Sequence, residues 1–290
     1  MENNIIIDGN NTIFRYDYAF NFCTHKGVRT SGIYGLLRLY LYLKNKFKSN
    51  IYFCWDMGRS KKRVGAFPLY KHKQHVMTPD NKLRIERIHS QINIFNEFLH
   101  TMGVYSLSIK EIEADDIIAS LTYLLEGKKI IISTDNDFLQ LINKDVEIYN
   151  PISKIIYNNE NFEELVGVKL ENFLLYKAII GDPSDNLPRV PKVGPVTAKK
   201  ILYTYGYEGI FNKNDIEDKI LKKIKEFRDQ ICLNLFLMDL SKDEELCALV
   251  KNLLDNYPKE YLIFDKDKLE RLLWEYELPF TVEQFEVPIL

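Results

Sequence analysis

The sequence predicts an α/β protein with a central, mainly parallel sheet flanked by helices. Three short apolar runs rich in β-branched residues are typical of strands buried on both faces. Segments with helical spacing of apolar residues separate them, which favours parallel pairing. Each run ends in an acid: Asp8 after 5–7, Asp56 after 51–55 and Asp135 after 130–134. Because ligands bind beyond the carboxyl ends of parallel strands, these acids should share one anionic site.

The other elements in the first part of the chain follow from apolar spacing and turn residues. Residues 9–11, Gly-Asn-Asn, are typical of a turn. Apolar side chains recur at helical spacing over 31–47 and 82–102, and Gly103 can end the second helix. Segment 58–81 contains Gly, Pro and much charge without a clean period, so we expect a long functional loop there.

The rest of the chain changes from mixed to helical patterns. Short strands are expected at 104–109 and 146–149, and a helix with one apolar face at 117–125. Beyond these the pattern is helical. We therefore divide the chain into an N-terminal α/β domain, 1–165, and a helical region, 166–290.

Composition limits the class of protein. The chain has 290 residues, 46% hydrophobic and 28% charged, as in ordinary globular proteins. No apolar run approaches about 18 residues, so we expect no membrane span. A strand follows the first four residues directly, so we expect no signal peptide. Four cysteines without CxxC spacing fit a reducing compartment, and scattered histidines do not suggest zinc.

The net charge of −2 conceals a charge asymmetry. From Arg59 to Lys73 there are six Lys or Arg residues and no acid, whereas acids dominate the strand ends. A basic segment beside an acidic pocket suits a polyanion held by cations on one side and metal ions on the other. The alternative is a solvated charged loop.

Nine acids form the candidate site. Two unit charges about 4 Å apart repel by about 4 kcal/mol at an effective dielectric of ~20, so a dense cluster needs cations. Oxygen ligands favour Mg²⁺ or Mn²⁺, and two such ions can clamp a phosphodiester while one activates water. Any single acid could instead be a turn former or helix cap. The nine are Asp8, Asp56, Glu113, Asp115, Asp116, Asp135, Asp137, Asp182 and Asp185.

A second motif lies at 181–206. Gly194 can precede a helix with Pro195 at its first position, and Gly206 suits its far end. The free amides at that helix start can bind a phosphate, and Lys199 and Lys200 add charge. Since nothing here contacts base edges, binding should be independent of sequence. The alternative is a plain helix–turn–helix packing unit.

These motifs resemble the 5′ nucleases: bacteriophage 5′–3′ exonucleases, the N-terminal nuclease domain of bacterial DNA polymerase I, and flap endonucleases. The resemblance implies a PIN-like fold with a helical arch at about 58–100 and a helix–hairpin–helix-like (helix-three-turn-helix) motif at about 180–206. The motifs that carry it are Ile-Asp-Gly-Asn (7–10), Glu-Ala-Asp-Asp (113–116), Ser-Thr-Asp-Asn-Asp-Phe-Leu-Gln-Leu (133–141), Gly-Asp-Pro-Ser-Asp-Asn-Leu-Pro (181–188) and Val-Pro-Lys-Val-Gly-Pro-Val-Thr-Ala (190–198).

The resemblance also implies a role for each matched residue. Asp8, Asp56, Glu113, Asp115 and Asp116 match a first metal cluster, and Asp135, Asp137, Asp182 and Asp185 a second. Arg63 and Lys71 match basic arch residues that stabilise phosphate charge. The hairpin motif of the family often holds K⁺. Implied DNA contacts are Tyr70, Lys73, Lys192, Gly194, Thr197, Lys199 and Lys200.

Three positions depart from the family pattern. Gln74 stands where an arginine is common, which puts the full set of phosphate contacts in doubt. Thr134 replaces a glycine, a tolerable change. Lys192 replaces the glycine of Val-Pro-Gly, which adds charge and removes backbone freedom.

The implied activity is that of a stand-alone Mg²⁺-dependent 5′ nuclease on branched or 5′-ended DNA, with Mn²⁺ as a substitute and 5′-phosphate products. A monomer in the cytoplasm of a bacterial cell or phage-infected host is expected. One alternative is a primer-removing ribonuclease of the same or a related PIN-like class, acting on RNA–DNA. The other is a non-catalytic flap-binding protein.

Overall fold

The computed structural model describes residues 3–47, 49–72, 78–212 and 218–286. Six strands in these residues form one sheet: β1 Asn4–Asp8, β2 Asn50–Cys54, β3 Tyr105–Leu107, β4 Lys129–Ile132, β5 Val146–Tyr149 and β6 Ile156–Tyr157. Their order is β3-β2-β1-β4-β5-β6, and all neighbours pair in parallel except β5 and β6. The predicted mainly parallel sheet is confirmed.

Helices of the described residues flank this sheet and build the second half of the chain. None of them is long and apolar enough to cross a membrane. They are α1 Gly9–Ala19, α2 Ser31–Phe47, α3 Lys61–Ala66, α4 Pro79–Thr101, α5 Ala114–Leu124, α6 Phe162–Val166, α7 Phe173–Ile180, α8 Pro195–Phe211, α9 Lys219–Glu226, α10 Arg228–Met238, α11 Glu244–Asp255 and α12 Lys266–Glu275. Short 3₁₀ helices lie at Asn136–Leu141, Leu170–Asn172, Pro183–Asp185, Lys259–Leu262 and Val282–Gln284.

Both faces of the sheet are buried, as continuous apolar strands require. In β1, Ile5 and Ile7 pack on one face with α2, α4 and α12, and Ile6 packs on the other with α5 and α7. All three isoleucines are fully buried. The larger apolar cluster also includes Ile201 of α8, so it joins the two regions predicted from the sequence. The division at 165/166 stays a prediction.

The strand order brings the acidic strand ends together. β1 lies between β2 and β4, with Asp8 in register with Cys54 and Ile7 in register with Ile132. Parallel strands in this register end at one edge of the sheet. Asp56 and Asp135 follow the two outer strands of this trio, so all three chain segments leave the sheet side by side.

The turn predicted at 9–11 is wrong, because α1 begins at Gly9 directly after β1. Asp8 is the N-cap of this helix, and the side chain of a capping acid satisfies an amide of the first turn. Glycine is needed at the first position, since a Cβ on Gly9 would lie 2.6 Å from the Trp55 ring. Residues 9–11 therefore form the first turn of a helix whose N-cap is Asp8.

The arch region also holds more regular structure than predicted. Segment 58–81 contains the helix α3, capped by Ser60, whose hydroxyl accepts from the backbone N–H of Arg63 at 3.4 Å. α4 begins at Pro79, earlier than expected, and ends just before Gly103, as predicted. Gln74 lies outside the described residues.

The helix of the second motif begins as predicted, with Gly194 as N-cap and Pro195 in the first turn. Gly206 has φ 57° and ψ −167°, a non-helical conformation that breaks the helix where its end was expected. Helical turns then resume to Phe211. The predicted end is therefore a kink.

Candidate active site

The three strand-end acids are fixed by the backbone elements that follow them. Each carboxylate accepts a hydrogen bond from a backbone N–H: Asp8 from Asn11 at 3.0 Å, Asp56 from Ala114 at 2.7 Å and Asp135 from Asp137 at 2.9 Å. These amides belong to the first turns of α1, α5 and a 3₁₀ helix. The helix starts therefore hold the acids in place and favour their negative charge.

A cleft of about 820 Å³ opens at this edge of the sheet. One side is acidic, whereas α1 and α4 supply aromatic and basic side chains on another. An open cleft with both kinds of group can hold a charged polymer against a cation-binding surface. Its lining includes Asp8, Asp56, Asp115, Asp135, Lys71, Phe14, Arg15, Tyr18 and Arg84.

Burial and mutual repulsion raise the pKa of the strand-end acids. Burial and the charge of Asp115 raise the pKa of Asp8 to about 8, although Ser133 donates a hydrogen bond to Oδ2 at 2.9 Å. Desolvation and Asp115 raise the pKa of Asp56 to about 6. Desolvation and Asp137 raise the pKa of Asp135 to about 6. This part of the cleft is therefore short of positive charge.

Arg63 lies behind the cleft and forms ion pairs with two acids there. The residue is 7% exposed, and its guanidinium contacts Asp116 through two nitrogens at 2.7 and 3.0 Å. Nη1 also donates to Glu113 Oε2 at 2.7 Å. Such a fork–fork pair is among the stronger charge-assisted contacts. The predicted role of Arg63 on a phosphate, and of both acids on a metal, stay predictions.

Lys71 joins this buried network to the cleft. Its Nζ lies 3.3 Å from Glu113 Oε1 and 3.5 Å from Asp115 Oδ2, and its side chain is 29% exposed. Although burial opposes it, the charges of Asp115 and Glu113 raise the pKa of Lys71. Tyr70 is buried, and its hydroxyl donates to Glu113 Oε2 at 3.2 Å. Lys71 can therefore present a fixed positive charge to the cleft.

The loop after α7 is bonded to the segment that carries Lys71. The backbone N–H of Lys71 donates to the carbonyl of Asp185 at 3.1 Å, and the Asn186 amide donates to the carbonyl of Leu69 at 2.8 Å. Gly181, with φ 68°, allows the tight loop, because a Cβ there would lie 2.5 Å from a backbone oxygen. Burial raises the pKa of Asp185 to about 7 despite the charge of Lys71.

Lys177 is a site residue that the sequence analysis missed. It extends from α7 and pairs with Asp137 Oδ1 at 2.8 Å and Asp182 Oδ2 at 3.1 Å. In the sequence it appears only as a polar position in an apolar helix pattern. Its position five residues before Asp182 was the available signal, and that signal is weak without the fold.

The donor set fits a hard divalent cation in its chemistry, because the groups are carboxylates close enough to raise one another's pKa. In the described part of the chain, however, no three Asp, Glu, His or Cys side chains are arranged as a ready metal-binding group. The metal roles of the nine acids stay predictions.

The residues predicted to contact DNA in the second motif differ in exposure. Lys192, with φ 62°, and Lys200 are exposed, whereas the Lys199 ammonium donates to the carbonyl of Val166. Gly194 provides no side-chain cap for α8, so the first amides of the helix keep their donors for another acceptor. Gly194, Thr197 and Lys199 are half-buried. Lys73 lies outside the described residues.

A second cavity, of about 680 Å³, lies on the far side of Arg63 between α3 and α11. Several of its charged side chains are paired with each other: Lys62 with Asp243 at 3.0 Å and Lys61 with Glu111 at 2.6 Å. Because those charges are compensated within the wall, this cavity is a weaker candidate than the cleft.

Comparison with known families agrees with the fold and the motifs. Residues 3–167 match the model of the 5′–3′ exonuclease N-terminal resolvase-like domain, and residues 168–261 match the model of the 5′–3′ exonuclease C-terminal SAM fold. The chain belongs to the 5′–3′ exonuclease family. It is a nuclease with the predicted sheet and C-terminal helical region.

Individual relatives support this assignment. A 5′–3′ exonuclease of Buchnera aphidicola is 35% identical over 215 residues, which cover 72% of this chain and 73% of the relative. A DNA polymerase I of Mycobacterium bovis is 30% identical over 286 residues, 94% of this chain but only 30% of the polymerase. The structure of the T5 D15 protein, co-crystallised with metal ions, shares the fold with a TM-score of 0.73, 22% identity, and coverage of 98% and 100%.

Proposed function

We propose that this protein is a structure-specific 5′ nuclease, acting as flap endonuclease and 5′–3′ exonuclease on branched or 5′-ended DNA. The observation that carries this proposal is the cleft in which acids following three adjacent parallel strands face Lys71. Family membership supports the hydrolysis of nucleic acid. The basic and aromatic wall supplied by α1 and α4 supports contact with a single-stranded 5′ end.

Two or more Mg²⁺ ions, or Mn²⁺ in their place, are part of the proposal. Asp8, Asp56, Asp115 and Asp135 would hold ions at the cleft, and Asp137, Asp182 and Asp185 would hold one beside it. When bound, such ions supply Lewis-acid polarisation of a phosphodiester and lower the pKa of water. The metal ions co-crystallised with the T5 D15 protein support this assignment.

The contribution of the chain itself is to orient the phosphodiester. Lys71 contacts Asp115 at 3.5 Å, a long distance that leaves its ammonium able to turn towards a phosphate oxygen. Its backbone bond to Asp185 and the contact with buried Glu113 limit that movement. Lys71 therefore acts as a positioned cation that offsets charge developing on the phosphate.

The second motif would bind the duplex part of the substrate. The open first turn of α8 can accept a phosphate, and exposed Lys192 and Lys200 lie next to it in the chain. A K⁺ ion at this hairpin belongs to the same proposal. Backbone contacts of this kind fix position without selecting sequence.

The decisive experiment uses a 5′-labelled flap duplex incubated with the protein in Mg²⁺ and then in EDTA. We expect release of a short flap-derived product in Mg²⁺ and none in EDTA. Binding without cleavage in either Mg²⁺ or Mn²⁺ would refute the catalytic proposal. A matched RNA–DNA flap tests the primer-removing alternative, which requires faster cleavage of the RNA flap.

A further inference from the structure

One cation in the site is already in place between two acids. Lys177 lies with its Nζ 2.8 Å from Asp137 and 3.1 Å from Asp182, and its side chain is 15% exposed. The two acids are themselves only 21% and 19% exposed. This is a semi-buried bridge in which one ammonium faces two carboxylates.

The surroundings of the bridge keep the ammonium where it is. α7 is anchored by buried Leu175, Ala178 and Ile179 around the lysine. Asp182 Oδ1 accepts from the backbone N–H of Ser184 at 2.9 Å, so only Oδ2 turns towards Lys177. A lysine side chain that is already confined by packing around its helix loses less conformational entropy on forming an ion pair than an exposed lysine does.

The strand-end acids differ in their contacts. The described partners of Asp8, Asp56 and Asp135 are backbone N–H groups and the Ser133 hydroxyl. A divalent ion that binds there adds positive charge to a deficient region. An ion that binds Asp137 and Asp182 must first displace an ammonium group.

We propose that Lys177 is a built-in counter-cation that competes with a divalent ion for Asp137 and Asp182. This inference rests on the proposed function. It divides the site into a tighter metal position at the strand ends and a weaker one beside Lys177. The weaker position then fills only at higher free ion concentration, or when a DNA phosphate adds negative charge beside it.

The test is an Mn²⁺ titration of the metal-free protein, followed by electron paramagnetic resonance of free Mn²⁺. Lys177→Met should tighten the weaker binding step about tenfold or more, because a competing unit charge about 3 Å away is removed. Lys177→Arg keeps the charge and should retain weak binding. The control is Lys128→Met, which removes a 2.7 Å ion pair with Glu147 before β4, away from the cleft.

A second measurement separates competition from loss of structure. In EDTA, Lys177→Met should melt at a lower temperature than the wild type, because Asp137 and Asp182 lose their partner. Saturating Mn²⁺ should then raise its melting temperature more than that of the wild type. Lys177→Gln, which keeps a hydrogen-bond donor without charge, repeats the test if the Met variant does not fold.

The outcomes distinguish this inference from the proposed function. If both neutral variants bind Mn²⁺ as weakly as the wild type, or more weakly, Lys177 is a structural ion pair and the inference is overturned. In that case cleavage of the flap substrate by the wild type still supports the nuclease proposal. A wild type that neither binds Mn²⁺ nor cleaves would overturn both.

Discussion

The two acid groups of the site are held in place by different means. The strand-end acids take their positions from the sheet and from the helix starts that they cap. Asp137 and Asp182 are joined instead by a lysine from another helix. The capping bonds of Asp8 and Asp135 are local, whereas the Asp56–Ala114 bond and the pairing of Lys177 with Asp137 exist only after the tertiary fold has formed.

The two groups of acids also differ in whether a cation contacts them. Behind the cleft, Arg63 pairs with Glu113 and Asp116, and beside it Lys177 pairs with Asp137 and Asp182. At the strand ends, burial first and the charge of neighbouring acids second raise the pKa values of Asp8, Asp56 and Asp135. The acids behind and beside the cleft thus have a cation in direct contact, whereas the acids at its centre are held by neutral hydrogen-bond donors.

Of the changes considered, replacing Arg63 should lower the stability of the protein most, because it removes the ion pairs behind the cleft. Arg63→Met leaves buried Asp116 without its cation and leaves Glu113 with Lys71 alone, so we expect a loss of about 3–5 kcal/mol in the free energy of unfolding. Urea unfolding measures it. The control Lys62→Met breaks an ion pair of a 68% exposed lysine on the same helix and should change stability little. Similar losses of unfolding free energy in both variants would mean that the ion pairs of the Arg63 guanidinium do not stabilise the fold.

Neutralising one acid from each group tests whether both groups serve catalysis. Asp8→Asn and Asp137→Asn should each slow flap cleavage by about 100-fold or more while DNA binding changes little, since loss of one preorganised electrostatic group costs this much in other enzymes. Asparagine can still cap α1, so Asp8→Asn should fold. Single-turnover rates and binding in EDTA give the two quantities. Equal losses of cleavage and binding would argue against a catalytic role.

Metal-free stability should depend on pH through the buried acids with raised pKa values, which include the three strand-end acids and Asp185. The folded pKa values of the strand-end acids lie above 3.8, at about 8 for Asp8 and about 6 for Asp56 and Asp135. A raised acid pKa contributes stability that is complete below the unfolded value and is lost as pH rises through the folded one. By linkage these three shifts amount to about 6 kcal/mol between pH 5 and pH 8.5, so in EDTA we expect the free energy of unfolding to fall by several kcal/mol over that range.

Urea unfolding at both pH values checks this expectation, and Asp8→Asn provides the control. The variant lacks the acid with the highest pKa of the three, so its stability should decline less over the same range. If the unfolding free energy of Asp8→Asn falls as steeply with pH as that of the wild type, Asp8 is not a source of the pH dependence.

The exposed lysines of the second motif should have the smallest effect. Lys200→Ala should weaken duplex binding modestly and reduce the slope of log K against log salt by about 0.9, the value for one phosphate contact on duplex DNA. The control is Lys199→Ala, whose ammonium already contacts the Val166 carbonyl. Fluorescence anisotropy at several salt concentrations gives the slope. An unchanged slope for Lys200→Ala would remove it from the DNA interface.

Much of the fold was predictable because its signals are local. The helices over 31–47 and near 82–102, the strand at 146–149 and the helix start at Gly194 follow from periodicity and capping residues. The strand-end acids could be grouped because parallel strands end together. Resemblance to a family supplied the identity of the arch.

The features that were missed depend on contacts distant in sequence or on short polar helices. α1 begins with Gly-Asn-Asn, a sequence typical of a turn, and it is helical here because Asp8 caps it. α3 has six residues and no apolar period, so only its Ser60 cap could have marked it. Lys177 became part of the site because α7 packs against the 3₁₀ helix Asn136–Leu141, which carries Asp137, and no spacing rule predicts that contact.

The capping hydrogen bonds of the strand-end acids have a consequence for the order of the site. A free aspartate rotates among several conformers, and fixing it on ligand binding costs conformational entropy. Asp8, Asp56 and Asp135 are already restrained by backbone N–H groups, so much of that ordering happens when the chain folds. The central carboxylates therefore have few conformers left to lose when a ligand binds, and each binding event starts from the same side-chain geometry.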